Sequence, residues 1–362
     1  MNSRTQVSQS RTEVIRKSLV DFCEALGPGG KLPTVRALSS ELAASTSTLD
    51  RVMADLEREG RIVRRHGSGV FVATPKKSNA IALVSGVDPF AVGQSPFYPI
   101  VGDLIRKGVL DSGRDFKFYL DPHFEKHGML SRMDFLNDLK DGALLGAVFM
   151  ATAHPDIFTQ MNELGFPYVG LTDSPLSIRR YYVDSPSLVD LGVEKLAQSG
   201  CKRLCLLTWD GFGSQVEECH GNFKRALLRN GLPLLDGAIW TRKEIRSDDE
   251  VIPRQHFGSL AAKSFFRLDS KLFDGMLCTD DMLCSGALSS LRDFSVSPGD
   301  GLLVATHANR GSPVLALAGR GVIKLEVDTQ ALAADVLGAL EELIGGKAVE
   351  PFVRTAKVEV VR

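Results

Sequence analysis

"KLPTVRALSSELAASTSTLDRVMADLEREGRIVRRHGSGVFVA", residues 31–73, changes period partway along. Val35, Leu38 and Leu42 recur at steps of three and four, and Leu49, Val52, Met53 and Leu56 do so again. Each set makes one apolar stripe along a helix. Pro33 and Thr34 suit the start of the first helix, "AAST" precedes the second, and Gly60 stops it. From Ile62 the pattern is that of strands: Ile62 and Val63 lead into "RRHGSG", and Val70, Phe71 and Val72 lead out. Gly67 and Gly69 supply positive φ where the hairpin must turn. Upstream, "RTEVIRKSLVDFCEAL" places Val14, Ile15, Leu19, Phe22 and Leu26 at helical spacing, and "GPGG" ends that helix.

Helix, helix, short turn, helix and hairpin is the order of a winged helix-turn-helix. The helix opened by "STSTLDR" would enter a major groove, with its N-terminal residues at base edges. Arg64, Arg65 and His66 flank the hairpin turn. Such charges keep a solvated edge soluble, or they give a wing something anionic to touch. The charge distribution bears on that choice. The chain has a net charge of −1, yet residues 1–77 hold 13 Lys and Arg against 8 Asp and Glu, leaving the remainder acidic. A basic head on an acidic body is what a polyanion-binding protein looks like.

The whole of residues 31–73 resembles the GntR-family DNA-binding domain. The likeness runs through the Leu-Pro before the second helix, Arg36 with Leu38, Ser45 with Thr48, "LEREG" and "RRHGSGVFV". It implies that Arg36, Ser45, Thr46, Ser47, Thr48 and Arg51 face DNA, with Arg65, His66, Gly67 and Ser68 at the wing. The hydroxyls have a second reading as simple helix caps, and Arg36 as a surface arginine. Two positions depart from the family. Thr46 and Asp50 stand where many members carry arginine. An acid near bases repels phosphate, and Ser47-x-x-Asp50 has capping-box spacing, so Asp50 is expected to serve the helix start.

At 362 residues the chain allows two or three domains, and its 44% hydrophobic and 24% charged content is that of a globular protein. No apolar run approaches the roughly 20 residues of a membrane helix, and the polar N-terminus carries no signal core, so a cytoplasmic, nucleoid-associated protein is expected. The six cysteines lie mostly in apolar runs without a Cys-x-x-Cys pair and read as small buried hydrophobes. "ECH" at residues 218–220 lacks further ligands at zinc spacing, so neither metal nor cofactor is expected.

After residue 79 strand-like runs alternate with amphipathic helices: "AIALVSG", "DFKFYLD", "LLGAVFMA", "PYVGLT", "RLCLLTW", "GMLCTDD" and "GLLVATHAN". This alternation predicts an α/β domain of parallel sheets with ligands at the strands' carboxyl ends. The expected division is a head over 1–75, a linker over 76–79 stiffened by the preceding Pro75, and an α/β domain over 80–362. No nucleophile elbow, phosphate loop or dinucleotide fingerprint is present, so no enzyme is expected.

The α/β part resembles the LacI/GalR ligand-binding domain, a periplasmic-binding-protein-like fold of two lobes joined by crossing strands. The likeness rests on "SPFYPIVGDLI", "YYVDSPSLVDLGVEKLAQSGCKRLCLL" and "FDGMLCTDDMLCSGALSSLRDF". It implies that Phe97 packs on a ligand, Asp184 accepts from hydroxyls, and Asp280 and His307 line the cleft. Asp280 or Asp281 is also a cap for the following helix. Trp209 reads equally as a half-buried core aromatic or as a sugar-stacking platform, and His307 as a loop histidine. Glu218 stands where sugar-binding members often place arginine, which favours a neutral polyol or a cationic ligand. The resemblances together imply a ligand-responsive repressor of a carbohydrate-utilisation operon. It would bind double-stranded operator DNA as a homodimer and take a sugar or polyol as effector. The competing readings are a ligand-independent DNA binder whose second domain only dimerises, and an enzyme using the cleft.

Overall fold

Ile15, Leu19 and Cys23 form an i, i+4, i+8 row, and that row closes one small core with Leu38, Leu49, Val52, Met53, Leu56, Ile62 and Val72. The structure, a computed structural model, describes residues 11–73, 78–89, 91, 93–120, 132–151, 155–209, 216–240, 253–266 and 272–361. The chain divides into two units, Met1–Ser78 and Asn79–Arg362. Most of the "TPKKSN" linker, residues 74–77, lies outside the described residues.

The first unit holds α1 (Arg11–Leu26), α2 (Val35–Glu41), α3 (Thr46–Arg58), β1 (Ile62–Arg65) and β2 (Gly69–Val72). The expected face of α1 is corrected. Val14 is 50% and Leu26 41% exposed, because Val14 sits one residue off the buried row and Leu26 is the helix's last residue. Thr34 caps α2 by accepting from the Ala37 amide, and Ser45 caps α3 by accepting from the Thr48 amide at 3.2 Å. The capping residue is therefore Ser45, not Ser47, and Asp50 lies too far along the helix to complete a box. β1 and β2 pair antiparallel with Arg65 opposite Gly69. Lys31 bridges to Phe71, and Leu32 donates to the Val70 carbonyl, so the chain before α2 adds a third edge to the hairpin.

The second unit contains two sheets. The first takes β3 (Ala80–Ser85), β4 (Asp115–Leu120), β5 (Gly146–Met150), β6 (Tyr168–Leu171) and β7 (Arg179–Tyr182), joined through α4 (Phe97–Asp111), α5 (Arg132–Lys140) and α6 (Pro155–Glu163). After β7 the chain crosses to α7 (Ser185–Gln198). The second sheet follows: β8 (Leu204–Leu207), α8 (Val216–Arg229), β9 (Ile239–Trp240), α9 (Arg254–Phe266), β10 (Gly275–Cys278), α10 (Asp281–Leu291), β11 (Ser297–Pro298), β12 (Gly301–Asn309) and β13 (Val322–Val327). The chain then returns. α11 (Thr329–Ile344) buries Leu332, Val336 and Leu340 in the same cluster as Ile81, Val148 and Val169, β14 (Phe352–Thr355) joins the first sheet, and β15 (Val358–Val361) the second.

The strand orders are β14-β7-β6-β5-β3-β4 and β15-β13-β12-β10-β8-β9. Every main pairing is parallel except β13 with β15, and β11 adds a short parallel edge to β12. Strands buried on both faces need continuous apolar runs, which "AIALV" and "LCLL" supply. In each sheet the order of the strands reverses beside the first one, between β3 and β5 and between β8 and β10. Crevices open at the carboxyl ends of such strand pairs.

The three crossings are tied together. Ala356 donates to the Tyr182 carbonyl at 2.8 Å, and Asp328 to that of Lys357 at 2.9 Å. Arg310 pairs at once with Glu326 on β13, Asp328 in the second crossing and Glu359 on β15.

Candidate functional site

The buried stripe of α3 leaves Thr46, Ser47, Asp50, Arg51 and Ala54 exposed together. Ser45 is occupied by its cap and by hydroxyl contacts to Ser47 (3.0 Å) and Thr48 (2.8 Å). Thr48 is half-buried, while Arg36 is exposed on α2. Arg51 donates to the Thr12 hydroxyl at 3.4 Å. In the hairpin, Ser68 donates to the Arg65 carbonyl, Gly67 takes φ +71°, and His66, Gly67 and Ser68 stand exposed at the tip. Arg65 lies over the Phe71 ring at 4.8 Å.

Arg64 does not belong to that tip. Its side chain turns back onto α3, with Nη2 donating to the Asp50 carbonyl at 3.2 Å and Nε 3.3 Å from Glu57. The opposite end of α3 is fixed to α1 by a bidentate pair between Arg16 and Glu59, both bonds 2.8 Å. That hydrogen-bonded guanidinium holds the Glu59 carboxyl below its usual range.

In the second unit, Trp209 follows β8 and Asp280 follows β10, beyond the two strands that flank the switch point. Asp280 is the cap of α10: one oxygen accepts from the Met282 and Leu283 amides, the other from Arg254 at 2.5 Å. The Arg254 guanidinium also lies over the Trp209 ring at 5.6 Å, and Trp209 packs edge-on against Phe257. Close helix packing makes this possible. A Cβ on Gly258 would come within 2.0 Å of the Leu283 carbonyl oxygen, and one on Gly286 within 1.8 Å of that of Gln255. The bare backbones let α9 and α10 approach until Arg254 reaches Asp280.

Phe97 and Tyr98 open α4 and pack edge to face at 5.5 Å. Burial pushes the Tyr98 hydroxyl up, with Arg254 opposing and Asp173 and Asp280 adding. Tyr98 is therefore within electrostatic reach of the second-lobe pair. Next to Asp280, the Asp281 carboxyl is buried and accepts from Asn309 (3.2 Å) and Ser312 (3.1 Å). Desolvation and Asp280 raise its pKa, against His307.

Of the other expected residues, Asp184 precedes α7, Glu218 lies on α8 and His307 on β12. Asp184 caps α7, accepting from the Ser187 amide at 3.1 Å and its hydroxyl at 2.6 Å. Glu218 is exposed in the first turn of α8 and acts with Asp184 on the neighbouring Tyr182 hydroxyl, whose pKa burial raises. His307 sits on β12 with its Nε2 buried and unpartnered among the described residues, lining a cavity of about 10 Å³ with Ser185, Thr279 and Leu325. Arg254 and Tyr98 were not among the expected residues. Pro253 before a helical pattern marks the start at Arg254, but nothing in "VIPRQHF" announces its partner 26 residues on, beyond β10.

Residues 23–72 match the family described as "Bacterial regulatory proteins, gntR family". The chain is 30% identical over 98 residues to the "Uncharacterized HTH-type transcriptional regulator YurK" of Bacillus subtilis, 26% of this chain and 38% of that protein. It is 35% identical over 66 residues to the "Probable fructoselysine utilization operon transcriptional repressor" of Escherichia coli, 18% of this chain and 27% of that protein. The chain thus spans well under half the length of these curated relatives. A LacI regulator from Lactobacillus casei with bound Tris superposes with a TM-score of 0.58 at 15% identity, covering 78% of this chain and 96% of that one. A LacI-family sugar-binding regulator from Escherichia coli, complexed with phosphate, gives 0.60 at 15% identity over 79% and 98%. Residues 23–72 are therefore a GntR-family helix-turn-helix domain, followed by an α/β domain with the fold of solved LacI-family regulators.

Proposed function

We propose that this protein is a cytoplasmic, ligand-responsive transcriptional regulator that binds operator DNA through its first unit and a sugar or polyol through its second. The observation that carries the reading is the pairing of the two parts. A helix-turn-helix head exposing the start of α3 precedes a two-sheet domain in which Trp209, Arg254 and Asp280 form one connected group, with Tyr98 of the other lobe within electrostatic reach of Arg254 and Asp280. Arg254 already carries a carboxylate partner, so the pair as a whole presents donors and acceptors with little net charge. That suits a neutral polyhydroxyl compound better than an acid. A homodimer would place two heads on half-sites one helical turn apart, roughly 34–36 Å, or a multiple of it. Repression of a carbohydrate-utilisation operon is the simplest regulatory role for such a pairing.

Closure of the lobes on a ligand turns on the three crossings, and where DNA binding by the first unit also favours one form, a ligand preferring one form changes DNA affinity, typically by about 1–3 kcal/mol. The test is a thermal-shift panel of sugars and polyols on the full chain, followed by operator titration with any compound that binds. A compound that raises the melting temperature and changes operator affinity at least fivefold supports the proposal. Operator binding that ignores every compound found to bind the second unit would overturn the ligand-responsive half.

A further inference from the structure

We infer that Asp50, held by Arg64, is a base-reading residue of α3 that selects cytosine; the inference rests on the proposed DNA-binding role of the first unit. With Leu49, Val52 and Met53 buried, Asp50 stands in the middle of the helix's exposed face, beside Ser47 and Arg51 and within its first turn and a half. A bare carboxylate there would be repelled by the phosphates on either side of a groove. Arg64 changes that balance. Its Nη1 lies 3.7 Å from one Asp50 oxygen, its Nη2 donates to the Asp50 carbonyl, and its Nε and backbone amide engage Glu57 at 3.3 and 3.1 Å. The guanidinium thus supplies a counter-charge from the wing to the Asp50 carboxylate. The Asp50 side chain nevertheless stays 55% exposed.

A carboxylate accepts hydrogen bonds and donates none, which sorts the four bases in the major groove. Guanine presents two acceptors there and thymine an acceptor with a methyl group, so both are disfavoured. Adenine offers an amino group beside the acceptor N7, which repels the second carboxylate oxygen. Cytosine offers an amino group with no neighbouring acceptor on its own edge, and Asp accepts from it. The arginine-free start of α3 (Thr46, Ser47) leaves Asp50 the one acceptor-only side chain on this described face.

The test is selection of duplexes from a random pool by the full-length protein, then competition binding of every single-base variant of the selected site. The wild type, Asp50→Asn and Asp50→Ala are compared. The wild type should prefer cytosine at one position per half-site by about fivefold or more. Asp50→Ala should flatten that position to within about twofold and leave the others unchanged. Asp50→Asn, near-isosteric and therefore the safer fold, should move the preference to adenine, whose N6 and N7 an asparagine matches. Variants that keep the wild-type preference at every position, with only a uniform change in affinity, would make Asp50 a strut for Arg64 and overturn the inference. A wild type that selects no sequence at all would instead overturn the DNA-binding role beneath it.

Discussion

Asp281, the first residue of α10, carries a buried carboxyl group, with one oxygen accepting from Asn309 and Ser312 and the other without a partner among the described residues. Burial raises its pKa. The folded state therefore binds its proton more tightly than the unfolded chain, and stability falls as pH rises from about 4 through the folded value. Asp281→Asn removes that dependence while keeping the shape. Thermal melts from pH 4 to 8 should show the variant gaining on the wild type as pH rises; a constant difference would contradict it.

At the wing tip, Gly67 holds φ +71° with open space around its α-carbon. Gly67→Ala should cost about 1 kcal/mol through backbone strain alone. A drop in the melting temperature of the first unit would register it, and an unchanged melt would mean the turn relaxes. At this scale the sequence is legible where one residue acts on its own backbone. Thr34, Gly67 and the cap at Asp280 are of that kind. The Asp50–Arg64 and Arg254–Asp280 pairs are not, because each joins residues that only the fold brings together.

The α9–α10 contact brings together at close range two elements that carry candidate-site residues. Because Cβ atoms on Gly258 or Gly286 would meet main-chain carbonyls rather than flexible side-chain ends, neither contact is relieved by a rotamer change. Gly286→Ala should cost about 1–3 kcal/mol or more by overpacking and lengthen the Arg254–Asp280 bond. A melt within 1 °C of wild type would show the helices free to part.

Helices with a clean stripe, such as α3, were legible from spacing, as were the strands with continuous apolar runs. α1 was legible as a helix but not in its face: Val14, Ile15, Leu19 and Phe22 all satisfy a helical period, and only packing decides that Ile15, Leu19 and Cys23 turn inward. α5, α6, α9 and α11 were not legible from spacing. Ala- and Leu-rich runs such as "ALAADVLGALEELI" carry little polarity contrast, and the return of α11 to the first lobe is a property of topology, not of local sequence.

For the whole molecule, the order of parts was readable because each carries its own signature. The basic head has a helix-turn-helix pattern, and the acidic body has strand–helix alternation. The crossing of the lobes was implied by the family resemblance alone, since β14 and β15 are short, mostly exposed and carry no local signature. The engagement of Asp184 as the cap of α7 was not readable either: position along a family pattern does not fix which side chains already serve the backbone.

The basic first unit predicts that DNA affinity falls steeply with salt, by about 10³-fold or more between 50 and 200 mM if six or more phosphates are contacted. A flat salt response would mean that contact is not with the phosphate backbone. The most direct measurement is the affinity of the full chain, at fixed salt near 150 mM, for a selected duplex and for its scrambled counterpart, repeated with Arg36→Ala. The account predicts that the selected duplex is bound at least about 10³-fold more tightly than the scrambled one, and that Arg36→Ala weakens binding about tenfold. Equal affinity for the two duplexes, or equal binding by a chain lacking residues 1–78, would contradict it.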